Sequence, residues 1–378
     1  MILGEGTVFS HEDIFDLDSY DYPLPKERIA QAPAAPRDSS RLLVWSVGSG
    51  EVRHCRFYDI PEFLQPGDLL VLNDTRVLPA RLVGTRPGGG AAEVLLLKPF
   101  TADLSVWKAL VRPGRKLRPG SELWVGDRAI RVEALEEDGV RIVRIGEGRR
   151  DVAAFLDVFG RVPLPPYIHG DNEWGDKPES GDKWREAYQT VFAQKDGSVA
   201  APTASLHFTP PLLAKIEAMG IRRAWVTLHV GLGTFRPVKA RNIRDHVIHE
   251  ESCEIPEATA KAVRECRARG GRVIASGTTV VRALESLADG TGGVESGLLD
   301  TKLYIYPGFR FRVVDAMITN FHLPKSSLLM LVAAFAAELG GWQEREERAL
   351  SSLMSLYSLA VTEEYRFFSF GDAMFIQP

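Results

Sequence analysis

One stretch, from Val199 to Pro237, constrains the fold more than any other, because it contains a complete loop–helix–strand–loop unit. A loop of small residues leads to His207, and a helix follows: Pro211 suits its first turn and Gly220 the position after its last turn. An apolar strand then runs into His229 and a glycine-rich loop. Ligands of proteins that alternate strands and helices bind at the carboxyl ends of strands. We therefore expect the functional site at the loops that carry these two histidines.

The alternation continues along the second half of the chain. The pattern predicts a helix over Glu257–Arg269, a strand over Arg272–Ser276, a helix beginning at Thr278 and a long helix over Gln343–Glu364. Such alternation predicts an α/β body built on a mainly parallel sheet or a barrel.

The segment from Pro66 to Arg150 has a different pattern. Short β-rich runs are separated there by Gly, Pro and acidic turns, which is typical of a small antiparallel barrel. The runs are Leu69–Leu72, Ala80–Val83, Ala92–Leu97, Val106–Val111, Glu122–Val125, Ala129–Leu135 and Gly139–Arg144. We therefore predict an α/β protein whose barrel-like main domain, residues 1–65 and 151–378, contains an inserted all-β domain, residues 66–150.

Charge is distributed unevenly. The chain of 378 residues has a net charge of −4, yet Pro66 to Arg150 contains 15 Lys and Arg against 11 Asp and Glu. A basic module suits a phosphate-bearing partner. One loop in it carries four cations, which we expect to contact an RNA backbone: Arg112, Arg115, Lys116 and Arg118. A solvated hairpin tip remains an equal alternative.

Cysteine usage and hydropathy bear on the compartment. Three cysteines without CxxC spacing favour a reducing environment and argue against a zinc site. The start of the chain, Met1 to Asp21, is acidic and lacks a leader pattern. The longest apolar run, Ser327–Leu339, is too short to span a bilayer. We expect a soluble cytoplasmic protein without membrane partners.

Metal and acyl-transfer chemistry are both disfavoured. Histidine is the commonest metal ligand, but the chain contains no HxH or HExxH pair. His246 and His249 with Glu250 come nearest to a metal motif. Ser276 lies in ASGTT rather than in a GxSxG elbow.

Several polar loops are suited to binding anions. Residues 37–41 offer two guanidinium groups and two hydroxyls. Thr278 and Thr279 open a helix whose free N–H groups favour an anion, and Arg282 follows one turn later. Asn320 and His322 precede another helix. Each feature also has a structural explanation, as a capped turn or a satisfied buried polar group.

These motifs together resemble one enzyme family. The segments PRDSSRLL, LNDTRVLPARL, PLPPYI, YQTVFA, AAPTASLHFT, TLHVGLGTFRPV, GTTVVRALES, YIYPGF, TNFHLPKSSLLMLVAAFA and YRFFSFGDAM occur in this order between Pro36 and Met374. They resemble the signatures of the S-adenosylmethionine:tRNA ribosyltransferase-isomerase family, which acts in queuosine biosynthesis. Ser205 and Val280 depart from the usual Gly and Ser of that family.

The resemblance implies a reaction. The ribosyl part of S-adenosylmethionine is transferred to the 7-aminomethyl group of a 7-deazaguanine (preQ1) at the wobble position of tRNA. Isomerisation of the sugar gives epoxyqueuosine, and adenine and methionine are released. S-adenosylmethionine is thus a consumed substrate. The resemblance implies no further cofactor, no metal and a monomer.

The reaction implied by the resemblance needs a base for the C5′ proton and an acid near the adenine. We expect His207, His229 and His322 to supply these catalytic groups. The expected binding residues for S-adenosylmethionine and the modified base are Arg37, Asp38, Ser40, Arg41, Asn73, Thr75, Arg76, Thr203, Phe208, Thr227, Gly231, Gly233, Thr234, Phe235, Thr278, Thr279, Arg282, Glu285, Asn320, Arg366 and Asp372.

Three other functions remain open at this stage. A methyltransferase that uses S-adenosylmethionine would yield S-adenosylhomocysteine instead of free adenine. A non-catalytic RNA-binding protein would leave S-adenosylmethionine unconsumed. A metal-dependent hydrolase would lose its activity to a chelator.

Overall fold

The computed structural model describes residues 9–168, 181–231 and 238–378. Its helices are α1 (Arg149–Phe159), α2 (Gly181–Ala187), α3 (Pro210–Ala218), α4 (Glu257–Ala268), α5 (Thr278–Ser286), α6 (Ser327–Leu339) and α7 (Glu346–Thr362). Its strands are β1 (Arg41–Ser46), β2 (Glu51–Arg56), β3 (Leu69–Asn73), β4 (Thr75–Val77), β5 (Arg81–Thr85), β6 (Ala91–Pro99), β7 (Val106–Arg112), β8 (Glu122–Val125), β9 (Arg128–Leu135), β10 (Arg141–Arg144), β11 (Gly160–Arg161), β12 (Lys195–Ser198), β13 (Arg222–Leu228), β14 (Glu251–Ile255), β15 (Val273–Ser276), β16 (Gly297–Thr301), β17 (Ala316–Asn320) and β18 (Ala373–Gln377).

The chain divides into two compact units. The first comprises residues 1–74, 190–193 and 202–378, and the second comprises residues 75–189 and 194–201. The boundaries of these units differ from those of the predicted domains. Helices α1 and α2 belong to the second unit, and strand β3 belongs to the first. The α/β class and the inserted antiparallel barrel are confirmed.

The first unit is built on a nine-stranded mixed sheet. The strand order is β16-β14-β13-β3-β15-β17-β18-β1-β2. The central strands β13, β3, β15 and β17 run parallel, whereas the flanking strands are mostly antiparallel. The prediction of a mainly parallel sheet therefore holds only for its centre.

The prediction that Leu69–Leu72 is a barrel strand is wrong. This run is β3, which pairs in parallel with both β13 and β15 at the centre of the large sheet. All five of its residues are buried. A strand covered on both faces is apolar throughout, whereas a strand of a small barrel alternates between inward and outward side chains.

One edge of this sheet collects the polar loops. Because β13, β3, β15 and β17 are parallel, their carboxyl ends meet there. Asn320 at the end of β17 lies opposite Ala373 at the start of β18, and Leu42 of β1 also pairs with Ala373. The starts of β18 and β1 therefore lie at the same edge. We call this end of the sheet, where the parallel strands terminate, the carboxyl edge; it is distinct from the lateral edges formed by β16 and β2.

The second unit contains the closed barrel. Its strands follow the order β5-β6-β7-β10-β9-β8, and β8 pairs back to β5 through Thr85 and Trp124. Gly84 lies at this closure, where a Cβ atom would collide with the carbonyl group of Trp124. Two short strands extend the unit: β11 pairs with β5, and β12 pairs with β4.

Helix α6 corresponds to the longest apolar run of the sequence. It has 13 residues, and most of its side chains are buried within the first unit. Across the described parts of the chain, the structure contains no helix that combines the length and the apolar character needed to cross a membrane.

Candidate active site at the carboxyl edge

A chain of four hydrogen-bonded side chains crosses the carboxyl edge. Ser40 Oγ lies 2.8 Å from His207 Nδ1, and Asn320 Nδ2 lies 3.2 Å from His207 Nε2. The Thr203 hydroxyl donates to Asn320 Oδ1 at 2.9 Å. Ser40 precedes β1 and Asn320 ends β17, so the fold joins residues that are far apart in sequence. All four were predicted site residues.

The orientation of the Asn320 amide indicates the tautomer of His207. Asn320 Oδ1 accepts from the Thr203 hydroxyl, so its amide nitrogen donates to His207 Nε2. Nδ1 then carries the proton and donates to Ser40 Oγ. Burial, together with the positive charges of Arg366 and Arg37, lowers the His207 pKa to about 3. The ring is therefore neutral at physiological pH.

Asp372 ties two loops of this edge together. Its carboxylate accepts from the backbone N–H of Arg41 at 2.9 Å and from that of Arg366 at 2.8 Å. The Arg366 guanidinium lies 3.5 Å from the same carboxylate. Arg366 and Arg37 both lower the His207 pKa, so their positive charges lie close enough to act on the ring.

Arg41 and Asp38 already bind other parts of the protein. The Arg41 guanidinium stacks on the Tyr365 ring at 3.7 Å and donates to the carbonyl of Glu363. Asp38 accepts a hydrogen bond of 2.6 Å from Thr209, the N-cap of α3. Both side chains thereby order the loop that presents Arg37 and Ser40.

His322 lies at the same edge, but its ring has partners different from those of His207. Its Nε2 lies 3.2 Å from the Thr319 hydroxyl, and its backbone N–H donates to the Tyr357 hydroxyl at 3.1 Å. Its carbonyl accepts from the Tyr22 hydroxyl. Burial lowers the His322 pKa to about 3. These contacts favour a structural role for this histidine.

His229 follows β13 at the carboxyl edge and is half-buried. Its backbone N–H donates to the carbonyl of Ser252 at 3.0 Å, which continues the pairing of β13 with β14. Two strands, β3 and β15, lie between β13 and β17, a separation of about 14 Å at the usual strand spacing. The three predicted catalytic histidines thus share one edge, although no described hydrogen bond joins their rings.

Other predicted binding residues hold the backbone. Asn73 binds both the N–H and the carbonyl of Leu228, at 3.1 and 3.0 Å. Thr227 donates to Asp74 at 2.6 Å. Glu285 accepts from three consecutive backbone N–H groups of residues 312–314. Phe208 is fully buried in the core. These contacts favour structural roles for the four predicted residues.

The start of α5 lies against neighbouring loops. Thr278 and Thr279 are buried, and the preceding Gly277 donates its N–H to Ile318 of β17 at 2.8 Å. Ser205 lies 2.8 Å from the Ser276 hydroxyl, so its extra Oγ atom links the loop of His207 to the end of β15. Val280, the other departure from the family pattern, is fully buried.

Arg282 forms a buried ion pair with Glu251, the first residue of β14. Glu251 also accepts from the backbone N–H of Gly231 at 3.1 Å. Sequence analysis did not identify Glu251, because nothing local distinguishes it from a surface carboxylate. Only the pairing of β14 with β13 places it beside Gly231.

The remaining predicted residues belong to the second unit or lie outside the described residues. Thr75 and Arg76 lie on β4 in the second unit. Gly233, Thr234 and Phe235 lie outside the described residues. The structure describes no group of three or more His, Cys, Asp and Glu side chains arranged to hold a metal ion in the ranges given above.

The predicted basic loop connects β7 and β8 in the second unit. Its four cations are exposed: Arg112, Arg115, Lys116 and Arg118. The buried Arg141 braces this loop by donating to the carbonyls of Gly114 and Leu117, both at 3.0 Å. The loop therefore has a defined backbone, and its charges point to solvent. Sequence analysis missed Arg141, since an arginine within a strand gives no sign of its burial.

The buried histidines predict a pH dependence of stability. A histidine whose folded pKa is about 3 binds its proton only after unfolding when the pH lies between about 3 and 6.5. The unfolded state then binds more protons, so stability falls as pH falls through this window, by at most about 1.4 kcal/mol per pH unit for each histidine. Chemical unfolding of wild type and His322→Gln between pH 5 and 7 should show a shallower slope for the variant. A slope for His322→Gln equal to that of wild type would contradict the prediction.

Comparisons with known proteins identify the family. The chain matches the family described as queuosine biosynthesis protein over residues 17–376. An S-adenosylmethionine:tRNA ribosyltransferase-isomerase of Gloeobacter violaceus is 50% identical, over 96% of this chain and 96% of its own length. The enzyme of the same name from Thermosynechococcus vestitus is 48% identical, over 97% of this chain and 98% of its own.

A solved structure agrees with these relatives. The crystal structure of an S-adenosylmethionine tRNA ribosyltransferase from Thermotoga maritima is 38% identical, and the match covers 95% of this chain and 99% of that chain with a TM-score of 0.52. The resemblance found in the sequence motifs is therefore confirmed over nearly the whole chain. This protein belongs to the family of queuosine biosynthesis proteins.

Proposed function

We propose that this protein is an S-adenosylmethionine:tRNA ribosyltransferase-isomerase. It moves the ribosyl part of S-adenosylmethionine to the 7-aminomethyl group of preQ1 in tRNA, isomerises the sugar to give epoxyqueuosine and releases adenine and methionine. The observation that carries this proposal is identity of about half over nearly the full length of enzymes with that name. The convergence of the polar loops on one sheet edge supports it.

The proposed reaction begins with loss of the C5′ proton, which the neighbouring sulfonium makes acidic. A general base must accept this proton, and a general acid near the adenine must protonate it as it leaves. The new bond forms between the amine nitrogen of the modified base and the sugar. Methionine leaves with the electron pair of its C–S bond.

We assign the base to His229. A general base works best when its pKa lies near the operating pH, whereas the pKa values of His207 and His322 are about 3. His229 is half-buried and lies at the end of a central strand, where ligands of such sheets bind. His207, kept neutral by burial and held in place by Ser40 and Asn320, is assigned to positioning of the sugar and its leaving group.

The two ends of the carboxyl edge suit different parts of the substrates. From β13 to β1 the edge crosses five strand intervals, a span of about 24 Å. We assign the positive corner of Arg37 and Arg366 to a phosphate beside the wobble nucleotide, because guanidinium groups bind phosphate in a bidentate manner. S-adenosylmethionine then lies towards β13.

The second unit is assigned to tRNA binding through its basic loop. Four exposed cations on a braced backbone suit contact with phosphates, which supplies affinity without sequence selectivity. We also assign the protein to the cytoplasm, where tRNA modification and S-adenosylmethionine supply take place. We propose that it acts as a monomer and that its reaction needs no metal and no further cofactor.

Incubation with S-adenosylmethionine and tRNA that carries preQ1 tests this function. Chromatography should show adenine and methionine released in equal amounts, with the sugar retained on tRNA. S-adenosylhomocysteine in place of adenine would identify a methyltransferase, and binding of tRNA without consumption of S-adenosylmethionine would identify a non-catalytic RNA-binding protein. Loss of activity on addition of a chelator would contradict the assignment of metal-free chemistry.

A further inference from the structure

Arg282 has an unsatisfied hydrogen-bond donor in a buried position. Its side chain is only 4% exposed. Nη1 contacts Glu251 Oε2, and Nε donates to the carbonyl of Leu303 at 2.9 Å. Nη2 has no hydrogen-bond partner in the part of the chain that the structure describes. Because a buried charged donor without a partner is costly, such an atom in a folded enzyme indicates a place for a ligand group.

Glu251 places this guanidinium at the carboxyl edge. β14 pairs with β13 so that Cys253 lies opposite Leu228, which puts Glu251 beyond the end of β13. Its Oε1 accepts from the N–H of Gly231, two residues after His229. The Glu251 carboxylate therefore fixes both the plane of the Arg282 guanidinium and the backbone at Gly231, which follows the proposed base His229.

We infer that Arg282 Nη2 donates to the α-carboxylate of the methionyl part of S-adenosylmethionine, and that Glu251 is the positioning residue that orients it. This inference rests on the proposed function. The other charged groups of that substrate, a sulfonium and an ammonium, are cations, so its carboxylate is the group that a guanidinium attracts. A small carboxylate suits so buried a donor better than the hydrated phosphate of a polynucleotide.

The pairing with Glu251 preorganises the Arg282 guanidinium for binding of the substrate carboxylate. The buried charge is offset before the substrate arrives, and the guanidinium is held in one orientation by Glu251 and Leu303. Little conformational freedom is then lost on binding, which is the advantage of a preorganised site. Since Gly231 closely follows His229, the same pair holds the methionyl end near the proposed base.

The test compares S-adenosylmethionine with its decarboxylated form, which keeps the adenosine and the sulfonium but lacks the carboxylate. Release of adenine into solution is measured for each donor in the presence of preQ1-containing tRNA. Wild type should prefer S-adenosylmethionine in kcat/KM by about 10- to 100-fold, the usual effect of a charge-assisted hydrogen bond. Arg282→Gln should lose most of this preference through a higher KM for S-adenosylmethionine, while its KM for tRNA stays unchanged.

A matched control is available at the opposite edge of the sheet. Arg272 pairs with Asp68, which is itself buried, at the starts of β15 and β3. Arg272→Gln should lower the unfolding temperature but keep the donor preference. Glu251→Asp keeps the charge but shortens the side chain, so it should raise the KM for S-adenosylmethionine more than the KM for the decarboxylated donor.

Equal use of both donors by wild type would overturn the inference, as would a folded Arg282→Gln that keeps the wild-type preference. If Arg282→Gln does not fold, Arg282→Lys replaces it in the test, because lysine keeps the charge but lacks the planar guanidinium. Full preference of Arg282→Lys for S-adenosylmethionine over the decarboxylated donor would contradict the inference. Absence of adenine release from S-adenosylmethionine in wild type would refute the proposed function itself, which is a distinguishable result.

Discussion

Replacement of His229 by Gln is expected to lower kcat for adenine release by about 10²- to 10⁴-fold, the usual contribution of a general base. The side chain is half-buried at the end of β13, so the free energy of unfolding should change by no more than about 1 kcal/mol. The KM values for both substrates should change little, because the loss affects proton transfer. Steady-state kinetics and thermal unfolding of the variant measure these quantities.

Isotope exchange makes this prediction sharper. With S-adenosylmethionine deuterated at C5′, wild type should release deuterium to solvent, and His229→Gln should lose this release in proportion to kcat. The comparison variant is His322→Gln, whose parent imidazole is buried and contacts the hydroxyls of Thr319 and Tyr357. It should lower stability and retain kcat within about 10-fold. Full activity of His229→Gln, with loss of activity in a folded His207→Gln, would transfer the role of base to His207.

Removal of the four cations of the basic loop should have the second largest effect. Alanine at Arg112, Arg115, Lys116 and Arg118 is expected to raise the KM for tRNA by about 10- to 100-fold at physiological salt. The slope of log KM against log salt should fall by about one unit for each tRNA phosphate that the loop neutralises in wild type. The KM for S-adenosylmethionine should not change. Kinetics at several salt concentrations measure both effects.

The basic loop prediction has a control of equal charge. The second unit carries other exposed cations, namely Lys98, Arg131, Arg149 and Arg150. Alanine at these four positions changes the net charge equally but leaves the loop between β7 and β8 intact. If this variant weakened tRNA binding as much as the loop variant, the effect would come from overall charge and the loop would have no special role.

Local patterns predicted part of this fold correctly. The helix beginning at Thr278 and the strand before it follow from an apolar run, a glycine and two hydroxyl residues, and all of these signals are contiguous. The antiparallel barrel was also predicted correctly, because Gly, Pro and acidic turns separate its short β-rich runs. The run Leu69–Leu72 was misassigned, since a buried parallel strand and a barrel strand of that length look alike in sequence.

Sequence motifs pointed to residues that the structure brings together, but they did not predict the contacts of those residues. Motifs gave Ser40, His207 and Asn320, yet only the fold showed that they bind one another and that burial keeps the imidazole neutral. Asn73 and Glu285 were expected to bind ligands, and the structure shows that both hydrogen-bond to the backbone. Long-range pairing decides such roles, and a single sequence does not encode it in any local pattern.

Hydrogen–deuterium exchange with substrates bound tests the location of the active site most directly. The protein is measured alone and with saturating S-adenosylmethionine and a tRNA that lacks the 7-aminomethyl group, so that no turnover occurs. We expect protection in the segments of the carboxyl edge, residues 37–41, 203–209, 229–231, 277–282, 320–322 and 366–372. Protection in the first unit confined to residues 65–69 and 270–273, at the opposite edge of the sheet, would contradict this account.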